Sequence, residues 1–177
     1  IEMIIFINML RFIQLWRNCY LEYNKSFRLY LSFCKGCNFN LNGMTLKRIN
    51  LTGEDLTGID LSGVDLESSD LSRSDLKGCN LIEVNFSHIN LSQSDLRRAD
   101  LSGSDLSNGI LKEANLANAD LIGTVLIKAD LSYANLCNAS LYGAEIKEAI
   151  LDYSIWLESD IREIYNKLRD AIFSNII

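Results

Sequence analysis

The 177-residue chain contains no proline. Proline removes a ladder donor, so its absence suits a backbone in which nearly every N–H is engaged. Histidine occurs once, at His88, which leaves no His cluster for a zinc centre and no obvious general base. The five cysteines give no framework either. Cys34 and Cys37 form a lone CxxC without a second pair, and metal or redox chemistry is not expected from it. Cys137 falls at an outward position, which with Cys19 argues against a disulfide framework and for a reducing compartment, and a cytoplasmic location is expected. The apolar run before Arg11 is far shorter than the ~20 residues of a membrane span, and no signal-peptide pattern accompanies it.

What the chain has in abundance is leucine at a fixed interval. From Leu41 to Leu151 every fifth residue is Leu, except Phe86 and Ile146, through 23 consecutive units. Calling that position i, position i−1 is Asp or Asn in 17 of the 23 units. Position i−2 is small or apolar almost everywhere and settles to alanine late, with Glu54 the charged exception. Leucines every five residues advance about 140° around an α-helix and share no face, while strict strand alternation would send successive leucines to opposite sides. A chain that turns once per unit remains, with i and i−2 on one side of a short extended segment and i−1 on the other. Fixed-period repetition of this kind marks a solenoid.

Units such as Ala129-Asp130-Leu131-Ser132-Tyr133 and Ala134-Asn135-Leu136-Cys137-Asn138 resemble the A(D/N)Lxx motif of the pentapeptide-repeat proteins. The resemblance implies an all-β solenoid, a right-handed quadrilateral β-helix with four units to a coil. Leu61, Leu81, Leu101, Leu121 and Leu141 would then stack as part of its core. At roughly 4.8 Å per coil the repeats make about six coils and a column roughly 27 Å tall. At i+2 of every fourth unit stand Gly43, Gly63, Glu83, Gly103, Gly123 and Gly143, which predicts one glycine corner where positive φ or close backbone approach is required.

Three regions follow: a cap at 1–38, the β-helix at 39–155 and a C-terminal element at 156–177. Met9, Phe12, Ile13, Trp16, Tyr20 and Tyr23 recur at helical spacing and predict a helix over about 8–24, followed by a lead-in strand at Leu29, Leu31 and Phe33. A cap over the first coil is expected, with an interfacial membrane helix as the competitor. The first residue is Ile1, and Met9 is a plausible native start. Leu157, Ile161, Ile164, Leu168 and Ile172 predict an amphipathic helix over 157–174, a cap for the last coil or a homodimer element.

The acid excess sits in the repeats. Residues 39–155 carry 17 Asp and Glu against 9 Lys and Arg, a balance of −8, and the flanks carry +2, together the net −6. A twenty-residue coil would place Asp55, Asp75 and Asp95 in one outward column beside Thr57, Lys77 and Arg97, which neutralise it. Other columns interleave Asn with Asp, as at Asn40, Asp60, Asn80, Asp100 and Asp120. Ile110, Val125 and Ile150 break the Asp/Asn rule at i−1, and Ile122, Ile127, Tyr133, Tyr142 and Tyr153 are further outward apolar residues. Among these, Ile110, Val125, Ile127, Tyr133, Ile150 and Tyr153 form the candidate partner surface.

No carboxylate pair stands out from the repeat background, so a non-enzymatic module without cofactor or metal is expected. Two functions fit: a rigid scaffold for an unidentified protein partner, and a DNA mimic that binds a DNA-handling enzyme. The second is implied by the resemblance, whose fluoroquinolone-resistance members act on DNA gyrase. Direct nucleic-acid binding is not expected of an acidic rod.

Overall fold

The computed structural model describes residues 41–157. The helix expected over 8–24, the lead-in strand, the CxxC and all but the first residue of the expected 157–174 helix lie outside them. Within them each unit repeats one pattern. Residues i+1 and i+2 form a turn, and residue i−1 is a lone bridging residue, paired in the interior coils with its counterparts one coil before and one coil after.

Nineteen parallel bridges run from Thr45↔Asp65 to Asn135↔Ile155, and each joins residues twenty apart. Four units therefore complete a coil with four short sides. We number the sides by their inward residues: the first carries Leu41, Leu61, Leu81, Leu101, Leu121 and Leu141, the second Leu46 to Ile146, the third Leu51 to Leu151 and the fourth Leu56 to Trp156. Every inward residue from Leu41 to Ile146 is buried, Phe86 included. Position i−2 joins them inside, and its polar members close their own hydrogen bonds: the hydroxyls of Ser74, Ser94, Ser104 and Thr124 donate to the carbonyl three residues back.

Backbone accounting explains the rest of the motif. In a regular unit the N–H of i donates to the carbonyl nineteen residues on, as from Leu101 to Asp120. Its i+2 partner does likewise, as from Gly103 to Ile122. The N–H of i−1 reaches back a coil, from Asp100 to Cys79, and that of i−2 closes the turn, from Ser104 to Leu101. Four of five donors are thus consumed by backbone, and the i+1 N–H faces outward with none. An Asp or Asn at i−1 accepts from it: the Asp100 Oδ1 takes the Ser102 N–H at 3.0 Å.

The glycine column does not mark a special corner. Position i+2 has positive φ in every described unit, at fifteen non-glycine residues as well as eight glycines. Arg73, His88 and Tyr133 sit at φ 60°, 59° and 61°, as does the corner at Glu83 with 56°. Left-handed backbone costs an ordinary residue roughly 1–2 kcal/mol. From Gly43 to Asn138 every corner N–H gains a ladder hydrogen bond from the conformation, and the coil imposes it on whatever residue stands there. Spacing alone pointed to glycine because glycine is the usual tenant of that conformation.

Candidate functional site

A solenoid that spends its interior on packing keeps its chemistry outside, in columns repeating every twenty residues. The caps are nearly complete. All sixteen Asp and Asn residues at described i−1 positions accept the N–H two residues on, from Asn50 with Thr52 to Asn135 with Cys137. Most of the carboxylates are therefore spent on backbone, in keeping with their short, locally bonding side chains.

Electrostatically the four sides differ. On the fourth, Lys77 lies 2.7 Å from Asp75 and 3.8 Å from Asp95, and Arg97 holds Asp95 at 2.7 Å. The hydrogen-bonded Arg97 guanidinium pulls the Asp95 carboxyl below its ordinary range, and Asp95 raises Arg97 in return. The neutralisation expected of this face is present. On the third side, burial pushes the Asp130 carboxyl up but is outweighed by Ser132 and Lys112, whose ammonium lies 3.1 Å away, so its pKa is lowered. Asp70 shows the same contest: burial opposes, and hydrogen bonds from Ser72, Asn90 and Thr52 prevail. The first side is unlike these. Its outward columns and corner hold Asp60, Glu83, Asp100 and Asp120 with no Lys or Arg among the described residues.

The candidate partner residues do not form one patch. Ile110 and Ile150 share the i−1 column of the third side, separated by Asp130, and both are exposed. Tyr133 and Tyr153 occupy the corner that follows, their rings stacked at 4.9 Å and nearly parallel. Val125 and Ile127 belong to the neighbouring second side and are half-buried. Sequence reasoning missed Ile155 and the outward exposure of Leu157, which adjoin Tyr153 on the fourth side and are 54% and 68% exposed. Ile155 continues the i−1 phase beyond Leu151, and counting one more unit would have found it. Ile122 and Tyr142 lie together elsewhere, on the first side.

His88 is exposed at a corner, as expected, and Cys79 is buried with its thiol against the Leu56 carbonyl. Cys137 is a free, half-buried thiol. No helix among the described residues is long and apolar enough to cross a membrane.

Parallel bridges at a constant twenty-residue register, buried leucines and Asx-capped turns define a quadrilateral β-helix. The family profile of the pentapeptide repeats matches in eight copies across residues 34–78, 79–118 and 114–152. This chain belongs to the pentapeptide-repeat family, whose fold is the right-handed quadrilateral β-helix. Among solved structures it is similar to the pentapeptide repeat protein Rfr23 from the cyanobacterium Cyanothece 51142, at 24% identity and a TM-score of 0.54, over 72% of this chain and 98% of that one. A pentapeptide repeat protein of the Arabidopsis thaliana thylakoid lumen matches at 31% identity and a TM-score of 0.42, over 65% and 75% of the two chains. QnrB1, a plasmid-mediated fluoroquinolone resistance protein, matches at 17% identity and a TM-score of 0.39, over 61% and 63%. No curated protein matches the chain.

Proposed function

We propose that the protein is a non-enzymatic scaffold of about six coils that binds a protein partner through the third side and the corner after it. The observation that carries this is the distribution of exposed apolar residues. All eight large hydrophobics that the described residues expose lie from Ile110 onward, and Ile150, Tyr153, Ile155 and Leu157 are neighbours around one corner. Contiguous exposed apolar surface on a rigid frame marks an interaction site. The helices expected over 8–24 and 157–174 cap the two ends, the second being also the route to a homodimer, and the compartment is the cytoplasm.

Affinity capture with the intact chain tests this, compared with a variant carrying Ile150→Asn and Tyr153→Ser and a control carrying Thr57→Ser and Ser62→Thr. A partner kept by the control and lost with the corner variant supports the proposal. A partner retained by both variants removes this corner from it.

A second function, mimicry of duplex DNA toward a DNA-handling enzyme such as gyrase, draws support from the first side, which is free of cations among the described residues. Its test is a supercoiling assay. Inhibition at stoichiometric protein that disappears with added salt favours mimicry, and no effect at large excess removes it.

A further inference from the structure

The first side differs from the other three in a second way. Like every side it presents two parallel outward files flanking the buried leucines, and here the second is partly apolar. The i−1 file reads Asp60, Asn80, Asp100, Asp120 and Ser140, and the i+1 file Ser62, Ile82, Ser102, Ile122 and Tyr142. Ile122 is 41% and Tyr142 67% exposed, and they sit on adjoining coils. An acidic file and a partly apolar file thus run side by side, two residues or about 6.5 Å apart.

The margin is bare beyond Ile122 and Tyr142, whereas one coil earlier Glu83 reaches over Gly103, its Cγ 3.6 Å from a Cβ placed there. Gly103, Gly123 and Gly143 fill that corner, and a Cβ added at Gly123 would meet nothing within 4 Å. At Gly143 it would meet only the Gly123 backbone, at 3.8 Å. No side chain walls off Ile122 and Tyr142 there, so a large element can lie across them. The glycine column, which backbone conformation alone does not explain, makes sense as this open edge.

We propose that the first side docks an amphipathic helix of a partner protein, one whose apolar stripe is edged with Lys or Arg. Charge complementarity selects it: the face offers Asp60, Asp100 and Asp120 with no cation of its own among the described residues, where the fourth side has already paired Asp75 and Asp95 with Lys77 and Arg97. Geometry agrees. A helix rises about 5.4 Å per turn and stacked coils repeat about every 4.8 Å, so two or three turns laid along the column stay in register with its side chains. Apolar residues at i, i+3 or i+4 and i+7 cover Ile122 and Tyr142, and the flanking cations reach Asp100 and Asp120. A surface that only imitated duplex DNA would have no use for the apolar file. This proposal does not depend on the Ile150/Tyr153 corner, which lies on a different side.

A synthetic amphipathic helix of leucine and lysine, about fourteen residues long, is the probe, titrated into the isotopically labelled full chain and followed by amide chemical shifts. Perturbations should concentrate at residues 80–83, 100–103, 120–123 and 140–143. Ile122→Ser combined with Tyr142→Ser should weaken binding about tenfold, the loss expected when one apolar contact area is removed. Asp100→Asn with Asp120→Asn should weaken it several-fold, whereas Asp75→Asn with Asp95→Asn, an equal change in net charge, should alter it less than about twofold. Asparagine keeps the Asx hydrogen bond, so neither pair disturbs the fold. Shifts spread evenly over all four sides, or equal weakening by the two asparagine pairs, would overturn the proposal.

Discussion

Repeats before Gly109 and repeats after it share their leucines, their corners and their backbone ladder, and differ in what fills i−2 and i−1. In the earlier set i−2 mixes Met44, Ile49, Ile59, Val64, Val84 and Ile89 with Glu54, Cys79, Ala99 and the serines Ser69, Ser74, Ser94 and Ser104, and the outward i−1 position is Asp or Asn in every described unit but that of Thr45. In the later set i−2 shrinks to Ala114, Ala119, Ala129, Ala134, Ala139, Ala144 and Ala149, while Ile110, Val125, Ile150 and Ile155 take over outside. Apolar bulk has moved from the interior to the surface. Selection for stability alone drives the opposite exchange, because burial and not exposure of apolar area stabilises. The partner surface proposed above would account for such an exchange, at the expense of packing and caps in the later repeats.

The largest effect attacks what the two sets share. Leu101 is fully buried, and Leu101→Asp strands a carboxylate among stacked leucines at a cost of more than about 4 kcal/mol, so circular dichroism should show loss of the fold at 37 °C. Ser102→Asp, one residue on and outward, should cost less than about 1 kcal/mol. Similar melting temperatures for the two variants would mean that inside and outside are exchanged.

At the boundary itself stands Gly109, an i−2 glycine without positive φ. A Cβ there would lie 2.9 Å from the Leu106 carbonyl oxygen and 3.1 Å from Cγ2 of Ile89 one coil back. Gly109→Ala should destabilise by about 1–3 kcal/mol in urea unfolding. Adding Ile89→Val should recover little of it, because valine keeps the crowding γ-methyl and the carbonyl contact is backbone. Full recovery would show that only the Ile89 side chain is in the way.

How much of this was legible in residues alone follows from what repetition can encode. The inward file from Leu41 to Leu151 could be read because period and chemistry agree, and the four-unit coil came from the resemblance to pentapeptide-repeat proteins, with the twenty-residue glycine column as its check. The fate of the i−1 aspartates could be read in outline, since a short carboxylate beside a turn has few other uses. The corners could not: Arg73, Glu83 and Tyr133 carry no mark of positive φ, which arises from coil closure and its hydrogen bonds rather than from their own preferences. Nor could the candidate surface be assembled correctly. Ile110, Val125 and Ile150 look equivalent by phase within the unit, yet phase within the twenty-residue coil sends Val125 to another side.

The outward caps are expected to contribute modestly and separately. Asp105 Oδ1 accepts both the backbone N–H and the hydroxyl of Ser107. Asp105→Ala should therefore lower stability by about 1 kcal/mol, and Asp105→Asn, which keeps the acceptor, by less than about half of that. Acid should act on both sets of repeats. Asp70 and Asp95 in the earlier and Asp130 in the later have lowered folded-state pKa values, so the unfolded chain binds protons first. The stability they supply is in place above their ordinary value near about 4 and is lost as pH falls below it. Melting temperature measured from pH 6 to pH 3 should fall at the acid end, and a flat profile would count against these assignments.

The smallest effect is the most telling, because its sign is opposite to that of an ordinary core substitution. Ile110 leaves the outward N–H of Lys112 without the cap that Asp130 gives Ser132 one coil on. Ile110→Asn restores an acceptor, and the structure already contains a closely related arrangement, since Asn85 donates its side-chain amide to Asp65 in its own column at 2.9 Å. The new amide would adjoin Asp130 in the same way, with the order of the two residues along the column reversed. The variant should be more stable by a few tenths to about 1 kcal/mol, a rise of about 1–3 °C in melting temperature. Gain of stability with loss of a captured partner would show that Ile110 is held in place by binding, the usual conflict between a site's surface and the fold beneath it. A lower melting temperature would instead mean that Ile110 packs as a structural residue, and the contrast between earlier and later repeats would then be one of folding rather than function.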